Sequence, residues 1–150
     1  MLTTLEKILF LRQVELFEEF PAREIGDLAK KAQEVSFSKG QVVFKQGDEG
    51  DALYIVLGGK VKVIGEHESS REVLTILEEK SIFGEMAILS NETRSATIEA
   101  AEPLTLLKIR REDFKEMIKQ KPEMAFEVFE VLVKRIKTIN EKYIQALKRT

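Results

Sequence analysis

Phe83-Gly84-Glu85-Met86-Ala87-Ile88-Leu89-Ser90-Asn91-Glu92-Thr93-Arg94-Ser95-Ala96-Thr97 is the stretch that decides the fold of this chain. It begins with a glycine and a carboxylate, continues through helix-forming residues as far as Leu89, and ends in a polar loop. Arg94 follows Glu85 by nine residues and lies among small side chains. The sequence on both sides predicts short strands, so a helical segment here breaks the local pattern. Such breaks are expected at functional sites.

Each of these residue types suits one part of a nucleotide. The first turn of a short helix has backbone N–H groups without partners in the helix, so its N-terminus favours an anion. Gly84 has no Cβ and lets a ligand approach the backbone, while the planar fork of Arg94 matches two phosphate oxygens. Glu85 accepts hydrogen bonds from a sugar hydroxyl. Together they indicate a nucleotide whose phosphate folds back onto its sugar.

Residues 34–110 predict a mostly β fold. Short runs of β-branched and aromatic residues alternate with glycines, and Gly58-Gly59 is a hairpin signal. About eight short strands with regular turns favour an antiparallel jelly-roll barrel, also called a double-stranded β-helix. Residues 1–33 predict N-terminal helices, because apolar residues recur three and four apart. Residues 111–150 predict a short helix and then a long one that starts near Pro122, and we expect a single domain over residues 1–150.

The stretch 83–97 resembles the phosphate-binding cassette of the cyclic nucleotide-binding domain family. The family pattern is Phe-Gly-Glu-x-Ala, a gap of six residues, and then Arg-x-Ala-Thr, and this sequence matches it with the gap intact. The spacing of Gly40, Gly47 and Gly59 around the predicted strands is also similar, so the resemblance extends over residues 16–140. The alternative is a helix and loop that merely close the barrel. Because Glu85 and Arg94 are both present, we expect ligand binding.

The resemblance implies roles for the residues of the cassette. The exocyclic phosphate oxygens are expected to meet the Arg94 side chain and the N–H groups of Ala87 and Ser95. Glu85 is expected to accept from the ribose 2′-hydroxyl, and Gly84 permits that close approach. Since Arg94 lies outside the predicted core, we also expect the fold to survive its replacement.

Other parts of the chain are implied to contact the base. Val73 and Leu74 are expected to form an apolar wall under the purine, and Asn140 to accept from adenine N6. The complete predicted binding set is Gly84, Glu85, Met86, Ala87, Arg94, Ser95, Ala96, Val73, Leu74 and Asn140. The expected ligand is cAMP, with cGMP as the alternative, and no further cofactor is expected.

The long C-terminal helix carries an apolar seam with heptad spacing. Its members fall at intervals of three and four residues: Phe129, Leu132, Ile136, Ile139, Tyr143 and Ala146. The seam packs either on the chain's own barrel or on a second copy. In the DNA-binding branch of the resembled family, the equivalent helix forms a coiled-coil dimer and also covers the purine. The basic residues near the end of the helix indicate a solvated face that complements the helix dipole.

Composition excludes several functions. The net charge of −2 gives no electrostatic case for nucleic-acid binding, and the chain contains no cysteine and a single histidine, His67, in a predicted loop. The usual zinc sets and a Ser-His-Asp triad are therefore not expected, and we interpret the chain as a binding module, not an enzyme. No signal peptide or membrane segment is predicted, so the cytoplasm is the default location.

Two functions from different classes follow. The first is a stand-alone sensor of a cyclic nucleotide, without the DNA-binding domain that relatives carry after the long helix. The second is a ligand-free scaffold of the same fold. Its long helix would form a homodimer or recruit an unknown effector protein.

Overall fold

The computed structural model describes residues 1–149, and Thr150, the last residue of the predicted C-terminal segment, lies outside the described residues. Three helical segments precede the strands: α1 (Thr4–Leu11), a 3-10 turn (Glu15–Phe17) and α2 (Ala22–Lys31). A capping box starts α1, in which the Thr3 hydroxyl accepts from the Glu6 N–H and the Glu6 carboxylate accepts from the Thr3 N–H. These hydrogen bonds lower the pKa of Glu6.

Eight strands follow, in agreement with the predicted number. They are β1 (Gln33–Phe37), β2 (Val42–Phe44), β3 (Ala52–Gly58), β4 (Val61–His67), β5 (Ser70–Leu77), β6 (Ile82–Phe83), β7 (Thr97–Ala100) and β8 (Leu104–Arg110). Gly58-Gly59 joins β3 to β4, and Gly59 has a φ of +94°. Because these two strands belong to different sheets and do not pair, the predicted hairpin is wrong and the segment is a turn between the sheets. A Cβ on Gly59 would lie 2.4 Å from the Pro103 carbonyl oxygen, so this turn requires glycine.

The strands form two antiparallel sheets of four. The first has the order β1-β8-β3-β6 and the second the order β2-β7-β4-β5. Within residues 1–149 neither sheet closes on itself, so the strands form two sheets with open edges and the predicted jelly-roll barrel is not confirmed. The mostly antiparallel β fold with flanking helices is confirmed.

Strand β3 is the centre of the core because both of its faces are buried. Leu53 and Ile55 belong to the apolar cluster between the first sheet and the helices, together with Phe17, Leu107 and Phe114. The alternate residues of β3 belong to a second cluster between the sheets, formed by Ala52, Tyr54, Val56, Val61, Ile98 and Leu106. Alternation along one strand therefore supplies two cores.

Three helices complete the fold: α3 (Met86–Leu89), α4 (Arg111–Gln120) and α5 (Met124–Lys148). The short α3 connects the first sheet, through β6, to the second sheet, through β7, as the break in the strand pattern predicted. The first half of α5 packs on the body through Met124, Val128 and Val131. Residues 136–149 are all exposed. Among residues 1–149, no helix has the length and apolar character that crossing a membrane requires.

Candidate ligand-binding site

A cavity of about 210 Å³ lies between the second sheet and the stretch 83–97. One side is apolar, formed by Phe44, Val63, Leu77, Ile82, Phe83 and Ile98. The other side consists of Gly84, Glu85, Met86 and Ala87 at the start of α3 and of Thr93, Arg94, Ser95 and Ala96 in the following loop. The cavity thus joins an apolar wall to a polar, backbone-rich rim.

Arg94 lies inside the protein, at only 5% exposure. Its Nη1 donates to the Gly84 carbonyl at 3.1 Å and its Nη2 to the Ala52 carbonyl at 2.9 Å. The guanidinium also lies 4.0 Å from the centroid of the Phe44 ring, in a cation–π arrangement. The premise that Arg94 lies outside the core is therefore wrong. Its charge is buried among two carbonyl groups and the Phe44 ring, and not outside the core as predicted.

The hydrogen bonds of Arg94 are incomplete. Its Nε is buried and has no hydrogen-bond partner among the described residues, although it belongs to a side chain that lines the cavity. Burial lowers the pKa of Arg94, an effect that the neighbouring Tyr54 and Asp51 partly offset. A buried cation with an unused donor favours an anionic partner, because an unpaired buried donor is costly.

A second loop fixes the backbone of Arg94. The Arg94 N–H donates to the Asp48 carbonyl at 2.8 Å, and the Arg94 carbonyl accepts from the Gly47 N–H at 2.9 Å. Gly84 completes the enclosure with a φ of +77°. A Cβ on this residue would lie 2.6 Å from Arg94 Nη1. Glycine is therefore required here by both conformation and space.

The aromatic side chains behind Arg94 form a rigid support. The Tyr54 and Phe83 rings stack with centroids 5.3 Å apart, and the Phe44 ring lies 5.8 Å from that of Phe83. Burial raises the pKa of Tyr54, and the neighbouring Arg94 charge partly offsets this. The tyrosine is therefore neutral at pH 7, and its ring adds apolar area without adding a second charge.

Glu85 contacts the long helix. Its Oε1 accepts from Arg135 Nη1 at 2.5 Å, and both side chains are partly buried. Arg135 was not among the residues predicted from the sequence, because only the fold brings a residue of α5 next to α3. The only available signal was the basic run Lys134-Arg135 within an otherwise apolar stretch of the helix.

The structure brings together the predicted cassette residues, because Gly84, Glu85, Met86, Ala87, Arg94, Ser95 and Ala96 all line the cavity. The Ala87 N–H, predicted to donate to phosphate, donates to the Gly84 carbonyl at 3.3 Å, a long hydrogen bond. Ser95 is exposed at the rim. These positions are compatible with the predicted roles, which remain predictions.

Val73 and Leu74 do not line the cavity, and they are 49% and 59% exposed. The physical reason is a bulge in the β4–β5 pairing, where Val63 pairs with Thr75 and Ile64 with Val73. Leu74 has no opposite residue and packs over Gly65 on β4, where an added Cβ would meet Leu74 Cδ1 at 3.2 Å. The apolar wall is formed instead by Val63, Leu77 and their neighbours on the other strands.

Asn140 also lies away from the cavity, on the exposed part of α5. Within residues 1–149, no residue of α5 lines the cavity, so the helix does not cover a base position in this structure. The described residues also contain no group of three or more His, Cys, Asp or Glu side chains placed to hold a metal ion.

Comparison with known proteins identifies relatives of the chain. The sequence profile described as cyclic nucleotide-binding domain matches residues 34–121. A CRP-like cAMP-activated global transcriptional regulator of Mycobacterium tuberculosis is 30% identical over 131 residues, which cover 87% of this chain and 58% of the regulator. A cAMP-dependent protein kinase regulatory subunit of Mucor circinelloides is 37% identical over 91 residues, covering 61% of this chain and 21% of the subunit.

A solved structure shows the same architecture. The catabolite activator protein of Thermus thermophilus superposes with a TM-score of 0.75 at 30% identity, covering 88% of this chain and 62% of that protein. The chain thus spans little more than half the length of the bacterial regulators that it matches.

Proposed function

The chain belongs to the cyclic nucleotide-binding domain family, and on that premise we propose that it binds a cyclic mononucleotide in the cavity beside α3, with cAMP preferred over cGMP. The observation that carries the proposal is the buried Arg94, whose Nε–H is unpaired while its side chain lines the cavity. A cyclic phosphate has the charge and the acceptor oxygens that this donor lacks.

The two sides of the cavity suit the two ends of the ligand. The phosphate meets Arg94 and the backbone N–H groups of Ala87 and Ser95, and the ribose 2′-hydroxyl donates to Glu85. The base lies against the apolar wall, where Val63 and Leu77 take the place that the sequence had given to Val73 and Leu74. Binding without turnover agrees with a site built from one buried cation, backbone groups and apolar side chains.

Isothermal titration calorimetry tests the proposal. We expect micromolar or tighter binding of cAMP, weaker binding of cGMP, and no binding of 5′-AMP, which lacks the cyclic phosphate ester. Absence of heat with every cyclic mononucleotide tried would contradict the proposed function. A competition experiment in which cGMP bound tenfold tighter than cAMP would contradict the base preference alone.

We further propose that α5 responds to the ligand through Glu85. Arg135 uses Oε1 of this carboxylate, which leaves Oε2 for the ribose hydroxyl. A ligand that orders Glu85 therefore strengthens the attachment of α5, and it shifts the helix only by its differential affinity for the two arrangements.

Hydrogen–deuterium exchange tests this response. Amide exchange over residues 125–147 should slow when cAMP binds, and the Arg135→Gln variant should bind cAMP but lose most of that slowing. Unchanged protection in the parent chain, with the ligand bound, would contradict a role for α5.

The second candidate function is a ligand-free scaffold that dimerises or recruits a partner through α5. The observation that favours it is the exposed seam, since Ile136, Ile139 and Tyr143 are 58%, 64% and 66% exposed in the single chain. Sedimentation velocity of the parent and an Ile139→Glu variant, each with and without cAMP, separates the candidates. A dimer that the substitution disrupts, together with absent cAMP binding, supports the scaffold.

A further inference from the structure

We propose that Arg111 is a positioning residue of the nucleotide site, which sets the cassette loop in place and adds a second positive charge behind Arg94. The inference rests on the proposed function, because it assigns a role in binding the same anion. Arg111 is the first residue of α4, lies outside the stretch 83–97, and does not line the cavity.

Arg111 ties three segments of the chain together. Its Nη1 donates to Asn91 Oδ1 at 3.0 Å, within the loop that leads to Arg94. Its Nη2 donates to the Gly50 carbonyl, and its backbone N–H donates to the Asp51 carbonyl at 2.8 Å. One side chain at the start of α4 therefore fixes both the cassette loop and the loop that precedes β3.

The contact with Gly50 reaches the anion site directly. A Cβ on Gly50 would lie 2.3 Å from the Ala87 Cβ and 3.0 Å from Arg94 Cζ. The Gly50 backbone is thus packed against both groups that are expected to meet the phosphate. Any shift of this backbone displaces Ala87 or Arg94, so the Arg111 hydrogen bond to the Gly50 carbonyl controls the width of the anion site.

The charge of Arg111 acts on the same site. It is one of the neighbouring charges that act on Arg94, where it lowers the pKa, and two like charges on either side of Gly50 repel each other. An anion that binds next to Arg94 relieves this repulsion. Arg111 Nε is also buried and has no hydrogen-bond partner among the described residues, so its charge is only partly neutralised by the protein.

Calorimetry with cAMP on three single variants tests the proposal. Arg111→Met removes the charge and the hydrogen bonds, Arg111→Lys keeps the charge, and Asn91→Ala removes only the link to the cassette loop. The matched control is Arg110→Met, because Arg110 is the preceding residue and its ion pair with Glu112 is exposed. Thermal unfolding of each variant by circular dichroism reports any loss of the fold.

We expect Arg111→Met to weaken cAMP binding about ten- to hundredfold, by analogy with the loss of metal affinity when the outer hydrogen-bond partners of metal ligands are removed. Its Kd should also depend less on salt than that of the parent chain, because one of the attracting charges is gone. Arg111→Lys should retain the parent's salt dependence and recover part of the affinity. Asn91→Ala should weaken binding less than Arg111→Met does. The Arg111→Met/Asn91→Ala double variant should lose less binding free energy than the sum of the two single losses. Arg110→Met should bind as the parent does.

Two results would overturn the inference while leaving the proposed function intact. One is an Arg111→Met variant that binds cAMP as tightly as the parent. The other is an Arg111→Met variant with weakened binding but unchanged salt dependence, an equally weak Arg111→Lys and a lowered thermal stability in both, since this pattern shows a role in folding and none for the charge. Absence of cAMP and cGMP binding by the parent chain would remove both proposals together.

Discussion

Replacing Arg94 with alanine should affect stability and binding by separate amounts. In the free protein the change removes two charge-assisted hydrogen bonds, to the Gly84 and Ala52 carbonyls, which are worth about 1.5–3 kcal/mol each. It also removes the desolvation penalty of a buried charge, which is several kcal/mol and has the opposite sign. We therefore expect a net loss of roughly 1–3 kcal/mol in the free energy of unfolding, with the native fold retained.

The loss of ligand affinity should be larger. Arg94 retains the Nε–H and one N–H on each terminal nitrogen for the phosphate, so a bidentate contact adds two further hydrogen bonds to a charged group. At about 1.5–3 kcal/mol each, their loss corresponds to about two to four orders of magnitude in Kd, at about 1.4 kcal/mol per tenfold. Arg94→Lys keeps the charge, but one ammonium group does not reach two carbonyls and a phosphate with the geometry of a planar fork. Arg94→Lys should therefore recover only part of the stability and only part of the cAMP affinity that Arg94→Ala loses.

Urea denaturation and cAMP calorimetry on the same preparations separate the two effects. Arg71→Ala is the control for removal of a cation from the second sheet, because Arg71 is half exposed and its ion pair with Glu99 lies away from the cavity lining. It should leave the Kd unchanged. A folded Arg94→Ala protein that bound cAMP like the parent would refute the assignment of the cassette, and with it the proposed function.

Four further substitutions give distinct outcomes. Gly84→Ala should lower the free energy of unfolding in urea by at least about 1–2 kcal/mol, since Gly84 has a φ of +77°. It should also abolish cAMP binding, because the added methyl group displaces Arg94; parent-like binding would contradict this. Glu85→Gln should weaken binding less than Arg94→Ala in calorimetry, because an amide still accepts from a hydroxyl; an equal loss would not fit. Ser95→Thr should raise the affinity for cGMP relative to cAMP in a competition assay, because residue 95 is at the exposed rim and a threonine hydroxyl, held in fewer rotamers, can accept from the guanine amino group; an unchanged ratio would count against this contact. Leu107→Ala, fully buried, should cost about 2–5 kcal/mol in urea unfolding without changing the Kd of the folded protein.

The sequence was sufficient for features that depend on short segments. Glycines at turns and alternating β-branched residues predicted eight strands, and the spacing of Glu85 and Arg94 predicted a helix and loop beside a binding cavity. These signals are local, because each depends on backbone preferences within a few residues. The jelly-roll barrel was predicted from the number of strands, and that number does not determine whether the sheet edges pair.

The errors concern contacts between distant segments. A β-bulge shifts the register by one residue and changes which side chains reach the cavity, which is why Val63 and Leu77 form the wall in place of Val73 and Leu74. The burial of Arg94 depends on the carbonyl of Ala52, which is 42 residues away in the sequence. No periodicity in the sequence encodes such a pair.

The position of α5 connects the cavity to the exposed seam. The helix has 25 residues and is therefore roughly 37 Å long, but only its first half packs on the body. The ion pair of Arg135 with Glu85 lies at the end of that packed half, one residue before the stretch 136–149 in which every residue is exposed. Under the proposed response of α5, a ligand that changes the state of Glu85 acts on the last partly buried residue in the described part of the helix. Under the proposed response, the direction of the exposed seam, and hence its access to a second copy or a partner, depends on Arg135.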